Sequence, residues 1–309
     1  MKKDSYAARL WQNVKRHKGL YLMILPIVAY YLVFCYYPMY GAQIAFRDYT
    51  PKLGVLHSPW AGLKHFAEFF KSVYFERLIR NTLSINLKNL LFGFPAPILL
   101  ALLLNEVRSQ GYKKFVQTVS YMPHFISWVV FGGIVITLLS GDGGLFNQIL
   151  LKLGVIEQPI VFMADSKYFW AIAILSNLVK ELGWSTILYT AAISGVDQEL
   201  YEAADLDGAS RVQKMRYVTL PCIKGTIVIM VIFAVAGIMN NNFDQLYVLQ
   251  NSFNLEKSEV IDTYIYKVGL QQLQFGMAAA VNIFKSILAI ILLTTANFVS
   301  NKLTDNGLF

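Results

Sequence analysis

The chain has 309 residues, 56% of them hydrophobic and only 15% charged, with a formal net charge of +8. Soluble domains carry about a quarter charged residues, so this composition indicates an integral membrane protein. The positive charge fits basic residues facing a cytoplasmic leaflet. Nucleic-acid binding is excluded, because no basic stripe with interleaved aromatics occurs.

The first 19 residues are basic and read as a cytoplasmic segment. The apolar run that follows is long and lacks a small-x-small cleavage site, so it is an uncleaved first span rather than a signal peptide. A helix needs about 20 mostly apolar residues to cross the hydrocarbon. Six segments qualify: Leu20–Tyr40, Asn81–Asn105, Phe115–Gly141, Tyr168–Val196, Cys222–Phe243 and Phe275–Leu303. Together they predict one all-α membrane domain over 20–303, with a short tail over 304–309. Lys/Arg in the short segments beside the spans put both termini in the cytoplasm. Cys35 and Cys222 then lie at opposite membrane faces and cannot pair.

Charges at membrane depth are costly and mark a cavity or a partner. Lys88, Lys180, Glu181 and Lys285 are such charges. They face a translocation path or a subunit interface, or else pair locally and snorkel. Lys180 and Glu181 are about 100° apart on a helix, which predicts different partners. His124, beside Pro123, reads as a structural polar group in a kinked helix. Asn240, Asn241, Asn242, Phe243, Asp244, Gln245 and Tyr247 form a polar–aromatic cluster at the end of the fifth span. Amides, carboxylates and ring faces suit a sugar path; a helix C-terminal cap is the plainer reading. Trp184, Tyr189, Asn177 and Asn282 are further candidates for that path.

One long polar stretch, "YEAADLDGASRVQKMRYVTLP" (201–221), separates the fourth and fifth apolar runs. Asp197 suits a helix N-cap. Leu200, Ala203, Ala204 and Asp207 share a face, and Gly208 sits where a C′ glycine ends a helix. Ser210 and Gln213 predict a capping box for a second short helix. Pro221 suits the first turn of the next span. The stretch therefore reads as helix–turn–helix on the cytoplasmic face, over about 197–221.

Its residue identities carry a resemblance. Glu202, Ala203, Ala204, Gly208, Val218, Leu220 and Pro221, with Asp207, Ala209 and Ser210, resemble the EAA loop of bacterial ABC sugar-importer permeases. Met215 and Gly225 stand where that family often has an aromatic and a proline. The segments at Leu25–Tyr49, Tyr121–Ile134, Trp184–Ala204 and Asn240–Leu249 are similar to the LplB-like branch, which serves oligosaccharides and polysaccharide fragments.

The resemblance implies a type I ABC importer permease (MetI-like) fold in the bacterial cytoplasmic membrane: six transmembrane helices and a cytoplasmic coupling helix. It implies as partners a second homologous permease, two cytoplasmic ATPase subunits and an extracytoplasmic solute-binding lipoprotein, with an oligosaccharide as cargo and membrane lipid around the helices. Glu202 then contacts the ATPase, while Ala203, Ala204 and Gly208 permit close packing. Asp207 and Arg211 orient the turn; Leu220 completes the motif and Pro221 stiffens the joint to the fifth span. Glu181, Trp184, Asn282 and the cluster at 240–247 are the candidate substrate path.

No GxxxxGK[ST] phosphate loop occurs, so this chain is expected to be non-catalytic and to bind no cofactor itself, with ATP and magnesium held by the partner ATPase. No His/Cys spacing suits zinc. The competing reading is an ion-driven secondary transporter of a small polar solute. That reading predicts matched broken helices in two halves and several carboxylates at mid-membrane, whereas only Glu181 qualifies. A membrane-embedded enzyme needs a metal-ligand or acid–base cluster, and none is found.

Overall fold

The structure is a computed structural model that describes residues 15–304. The basic residues of 1–14 and the tail at 305–309 lie outside that range. Among the described residues there are helices and a single isolated bridge, Arg47 to Trp60. Four helices are long and apolar enough to cross a membrane: α1 (Lys18–Phe46), α2 (Phe75–Glu106), α6 (Ser166–Ser194) and α12, whose apolar part is Phe275–Val299. Two bent pairs raise the number to as many as six: α3 (Gln110–Phe125) with α4 (Trp128–Leu138), and α8 (Arg211–Cys222) with α9 (Lys224–Met239). Short helices α5 (Leu145–Lys152), α7 (Gln198–Leu206), α10 (Phe243–Leu249) and α11 (Ile261–Tyr266) fill the connections.

The breaks have local causes. In α2, Pro95 has no N–H for the carbonyl of Leu91, and the helix widens to a π-turn over Asn89–Gly93 just before it. Past Pro123, Ile126 and Ser127 are extended, and Ser127 Oγ caps α4 by accepting from Val130 N at 3.4 Å. The chain turns by 103° there. The kink expected beside Pro123 is a full break, and the span read as Phe115–Gly141 is two helices. The fifth span is corrected too: Leu220–Cys222 closes α8, the chain bends by 67° at Ile223, and the apolar run starts at Lys224. Pro221 therefore belongs to the segment before the span.

Lipid tails are as apolar as leucine, so close approach and interhelical hydrogen bonds organise the bundle. α6 runs along the second half of α2 and crosses α3 at Gly183. A Cβ there would clash with the Ser120 carbonyl and lie 2.8 Å from Tyr121 N. Buried Gln245 donates to Ala173 O at 2.6 Å and Ser176 Oγ at 2.9 Å, pinning α10 to α6. Asn81, fully buried, donates to the carbonyls of Glu256 and Glu259. Arg77 and Lys267 flank the buried Glu259 carboxylate.

α1 stands apart, with no residue of its apolar window buried. It meets the bundle at its far end, where 40–46 lies on α12. The loop after it is held by Arg47, which donates to Leu56 O and Ser58 O, and by a Lys64–Asp48 pair at 3.0 Å. The Asp48 hydrogen bond raises the Lys64 ammonium above its ordinary value.

The packing sorts the connections to two ends. At one, 254–261 lies against Asn81 of α2 and Trp170 of α6. At the other, Asn105–Lys113 shares a cavity with α7 and α8.

Candidate functional site: a central cavity joined to a helical loop

α2, α6 and α9 enclose a cavity of about 600 Å³. Its polar wall is Asn86 and Asn89 on α2 with Asn177, Glu181 and Ser185 on α6; Trp184, Tyr189 and Phe94 supply ring faces. Asn86 Nδ2 donates to Ile238 O at 2.7 Å and to Asn241 Oδ1 at 3.0 Å. Asn89 Oδ1 and Asn241 Nδ2 are buried without a hydrogen-bond partner. Unpaired amide groups beside a cavity are groups a polar ligand can satisfy.

One wall is braced by the polypeptide break after α3. Lys180 is only 3% exposed. Its ammonium donates to His124 O at 2.6 Å and Pro123 O at 3.3 Å. Pro123 O also accepts from Ile126 N at 3.2 Å, whereas His124 O is left without a backbone donor by the bend, and at membrane depth it needs one. Glu181 lies 2.6 Å from His124 Nδ1 and 3.5 Å from Lys180 Nζ. The His124 ring stacks on Trp184, with centroids 4.3 Å apart and planes at 2°. His124 thus fixes the orientation of two cavity residues from behind. Lys180 and Glu181 do have different main partners, yet they also pair with each other.

Of the residues expected on a substrate path, Glu181 and Trp184 line the cavity, as do the weaker candidates Asn177 and Tyr189. Asn241 reaches its rim through Asn86. The rest of the 240–247 cluster lies outside it. Asn242 caps the start of α10, accepting from Gln245 N at 3.3 Å, so it begins a helix rather than ending one. Phe243 and Tyr247 stack at 5.2 Å and meet Tyr266. Asn240, Asp244 and Asn282 are exposed away from the cavity. Lys88 sits 3.8 Å over the Trp170 ring and Lys285 pairs with Asp262, so neither lines the cavity. The sequence reading missed Asn86 and Asn89. Their spacing of three within an apolar span was the available signal.

The polar stretch folds as two short helices. Asp197 caps α7, accepting from Glu199 N at 3.0 Å. Gly208 ends it at φ +74°, with Ala209 N donating to Ala204 O at 2.9 Å. Ser210 and Gln213 form the capping box of α8. The turn is spanned by Lys214 and Asp205 at 2.7 Å. Asp207 and Arg211, expected to orient it, are exposed. Glu202 and Ala203 are exposed, while Ala204 is half-buried. Tyr201, Met215 and Leu220 pack on Tyr189, Ile193, Val196 and Ile223. Tyr201 OH bonds Thr219 Oγ1 at 2.9 Å across the loop. The loop is therefore bolted to the inner ends of α6 and α9, two of the three cavity helices.

Residues 93–306 match the family described as binding-protein-dependent transport system inner membrane component. The chain belongs to that family. It is 43% identical over 296 residues to protein LplB of Bacillus subtilis (strain 168), covering 96% of this chain and 92% of that one. It is 46% identical over 301 residues to the polygalacturonan/rhamnogalacturonan transport system permease protein YteP of the same organism, covering 97% and 93%. Its fold superposes at a TM-score of 0.88, with 41% identity and 96% and 99% coverage, on a bacterial ABC transporter involved in the import of the acidic polysaccharide alginate. It also matches the bacterial alginate ABC transporter in complex with an alginate pentasaccharide-bound periplasmic protein, at TM-score 0.89 and 41% identity, covering 97% and 100%. The MetI-like importer fold is thereby established, and this inner membrane component is a transport permease. The ion-driven alternative is not favoured.

Proposed function

We propose that this chain, paired with a second homologous permease, forms the membrane path of an ATP-driven importer for an oligosaccharide or polysaccharide fragment. Two cytoplasmic ATPase subunits, holding ATP and magnesium, drive it, and an extracytoplasmic solute-binding lipoprotein supplies it. The carrying observation is the cavity between α2, α6 and α9, lined by the amides of Asn86, Asn89 and Asn177 and by the rings of Phe94, Trp184 and Tyr189. Hydroxyl groups of a sugar pair with the amides, and its C–H faces lie on the rings. The names of the curated relatives support the same cargo class.

The covalent geometry supplies the coupling. α6 runs unbroken from the cavity wall at Asn177–Tyr189 to Ser194, and α7 begins at Gln198. α8 leads through the Ile223 bend into α9. A partner that displaces α7 and α8 as one body moves two cavity walls together. The exposed Glu202 carboxylate and Leu206, 91% exposed, are the groups offered to that partner. This reading places the loop and both chain ends in the cytoplasm.

The test is uptake of labelled oligosaccharide by cells or proteoliposomes carrying the whole importer. Trp184→Ala removes a ring face of the cavity together with its stacking on His124, so retained assembly of the subunits is the control. Uptake should fall about tenfold or more while the subunits still co-purify, since an aromatic platform contributes on the order of 1–2 kcal/mol. Unchanged uptake for every oligosaccharide transported would contradict the cavity assignment.

A further inference from the structure

A second cavity, of about 420 Å³, lies beside the coupling loop, between the Asn105–Lys113 connector and α7 and α8. Four basic side chains line it, Arg108, Lys113, Arg211 and Lys214, against two carboxylates, Glu106 and Asp205. Asp205 is already paired with Lys214 at 2.7 Å. Among the described residues, no carboxylate lies within ion-pair distance of Arg108, Lys113 or Arg211. The cavity therefore carries surplus positive charge, from the Asn105–Lys113 segment on one side and from α8 on the other.

α3 leaves this cavity with an apolar stripe turned outward. Tyr112, Phe115, Val119 and Met122 are 59%, 65%, 52% and 60% exposed. Their spacing of three, four and three places them on one helical face. Lys113 of the cavity and Tyr112 of the stripe are neighbours in the chain, about 100° apart around the first turn of α3. A basic recess at the end of a helix that carries an exposed apolar face matches an amphiphile that carries a phosphate at one end.

We propose that this recess binds the phosphate headgroup of an anionic phospholipid of the cytoplasmic leaflet, with an acyl chain along the α3 stripe. The bases at the recess supply charge attraction at the membrane surface, and the stripe covers chain methylenes that a soluble phosphate lacks. The bound lipid bridges the α2–α3 connector to α7 and α8, and so ties the coupling loop to the bilayer. The leaflet follows from the cytoplasmic placement of the loop in the proposed function; lipid retention itself is measured without reference to transport.

The full-length tagged chain, extracted from its membranes with its bound subunits, is transferred to vesicles of phosphatidylcholine with or without phosphatidylglycerol. Co-purifying lipid is then identified by mass. Wild type should retain phosphatidylglycerol over phosphatidylcholine. The double variant Arg108→Gln/Lys113→Gln should weaken that retention about thirtyfold, the loss expected for two bases near an anionic surface. Arg108→Lys/Lys113→Arg should keep it, which separates charge from misfolding, and Lys52→Gln/Lys71→Gln at the opposite end should leave it unchanged. Equal retention of both lipids, or undiminished retention in the Gln double variant, overturns the proposal. So does displacement of phosphatidylglycerol by inorganic phosphate or glucose 6-phosphate, which would make the recess a soluble-phosphate site. Loss of the ATPase in the Gln double variant, with lipid retention intact, would make it a protein contact instead.

Discussion

Replacing Lys180 by Met should destabilise the protein more than any other single change in a span. The Lys180 ammonium donates to His124 O at 2.6 Å, which the 103° bend after α3 leaves without a backbone donor, and to Pro123 O at 3.3 Å, which Ile126 N also reaches. It also lies 3.5 Å from Glu181. Methionine matches the length of the stem but leaves His124 O unsatisfied and the carboxylate with His124 alone. Breaking one side of a buried pair costs about 3–5 kcal/mol, and an unsatisfied buried carbonyl costs about 1–3 kcal/mol. The terms overlap, so the net loss is set at about 4 kcal/mol. For a chain of this size that lowers Tm by on the order of 10 °C. The assay is thermal unfolding of detergent-solubilised protein followed by intrinsic fluorescence. Adding Glu181→Gln to Lys180→Met should restore part of the loss, because it removes the stranded charge. A Tm for Lys180→Met within about 1 °C of wild type would refute the view that this cation holds the broken helix.

Gly208→Ala forces an alanine to φ +74° and should cost about 1–2 kcal/mol, slowing uptake mildly, whereas Gly208→Pro cannot reach that angle and should abolish uptake while membrane insertion persists. Gly183→Ala drives a Cβ into the backbone of Ser120 and should cost about 1–3 kcal/mol, read as a lower Tm. Lys285→Met leaves the Asp262 carboxylate, which also accepts from Asn241 N at 3.0 Å, without its cation. Lys285→Met should lower Tm more than the double variant Lys285→Met/Asp262→Asn does, and equal shifts would show that the pair contributes nothing.

The coupling loop was largely legible in the sequence because its determinants are local. Asp197 caps, Gly208 supplies a positive φ, and Ser210 with Gln213 closes a capping box; each acts within four residues. The cavity was only partly legible. Glu181 and Trp184 announce themselves as polar and amphipathic groups in an apolar run. Asn86 and Asn89 acquire their role from α6 and α9, which are remote in sequence. The run Asn240–Asn242 was legible at one end: Asn240 closes α9 as the plainer cap reading has it, while Asn242 opens α10, because asparagine serves either end of a helix. For Lys88 and Lys285 the sequence left a pathway role and a local partner open, and a ring on α6 and a carboxylate on α11 supply the local partners. The bend at Ile126–Ser127 follows Pro123 by three residues; the proline announced a kink, but its size is set by the extended pair Ile126–Ser127 and the new cap at Ser127.

The central claim is that α7 and α8 are the handle by which an ATPase moves this permease. Its most direct measurement is co-purification from detergent-solubilised membranes, with tagged wild type and Glu202→Lys in parallel. Glu202 is exposed and, among the described residues, engages no side chain, so inverting its charge leaves the fold intact. The account predicts that wild type brings down a second permease and an ATPase, and that Glu202→Lys keeps the permease and loses the ATPase. Wild type without an ATPase, under conditions that keep the permeases paired, would contradict it.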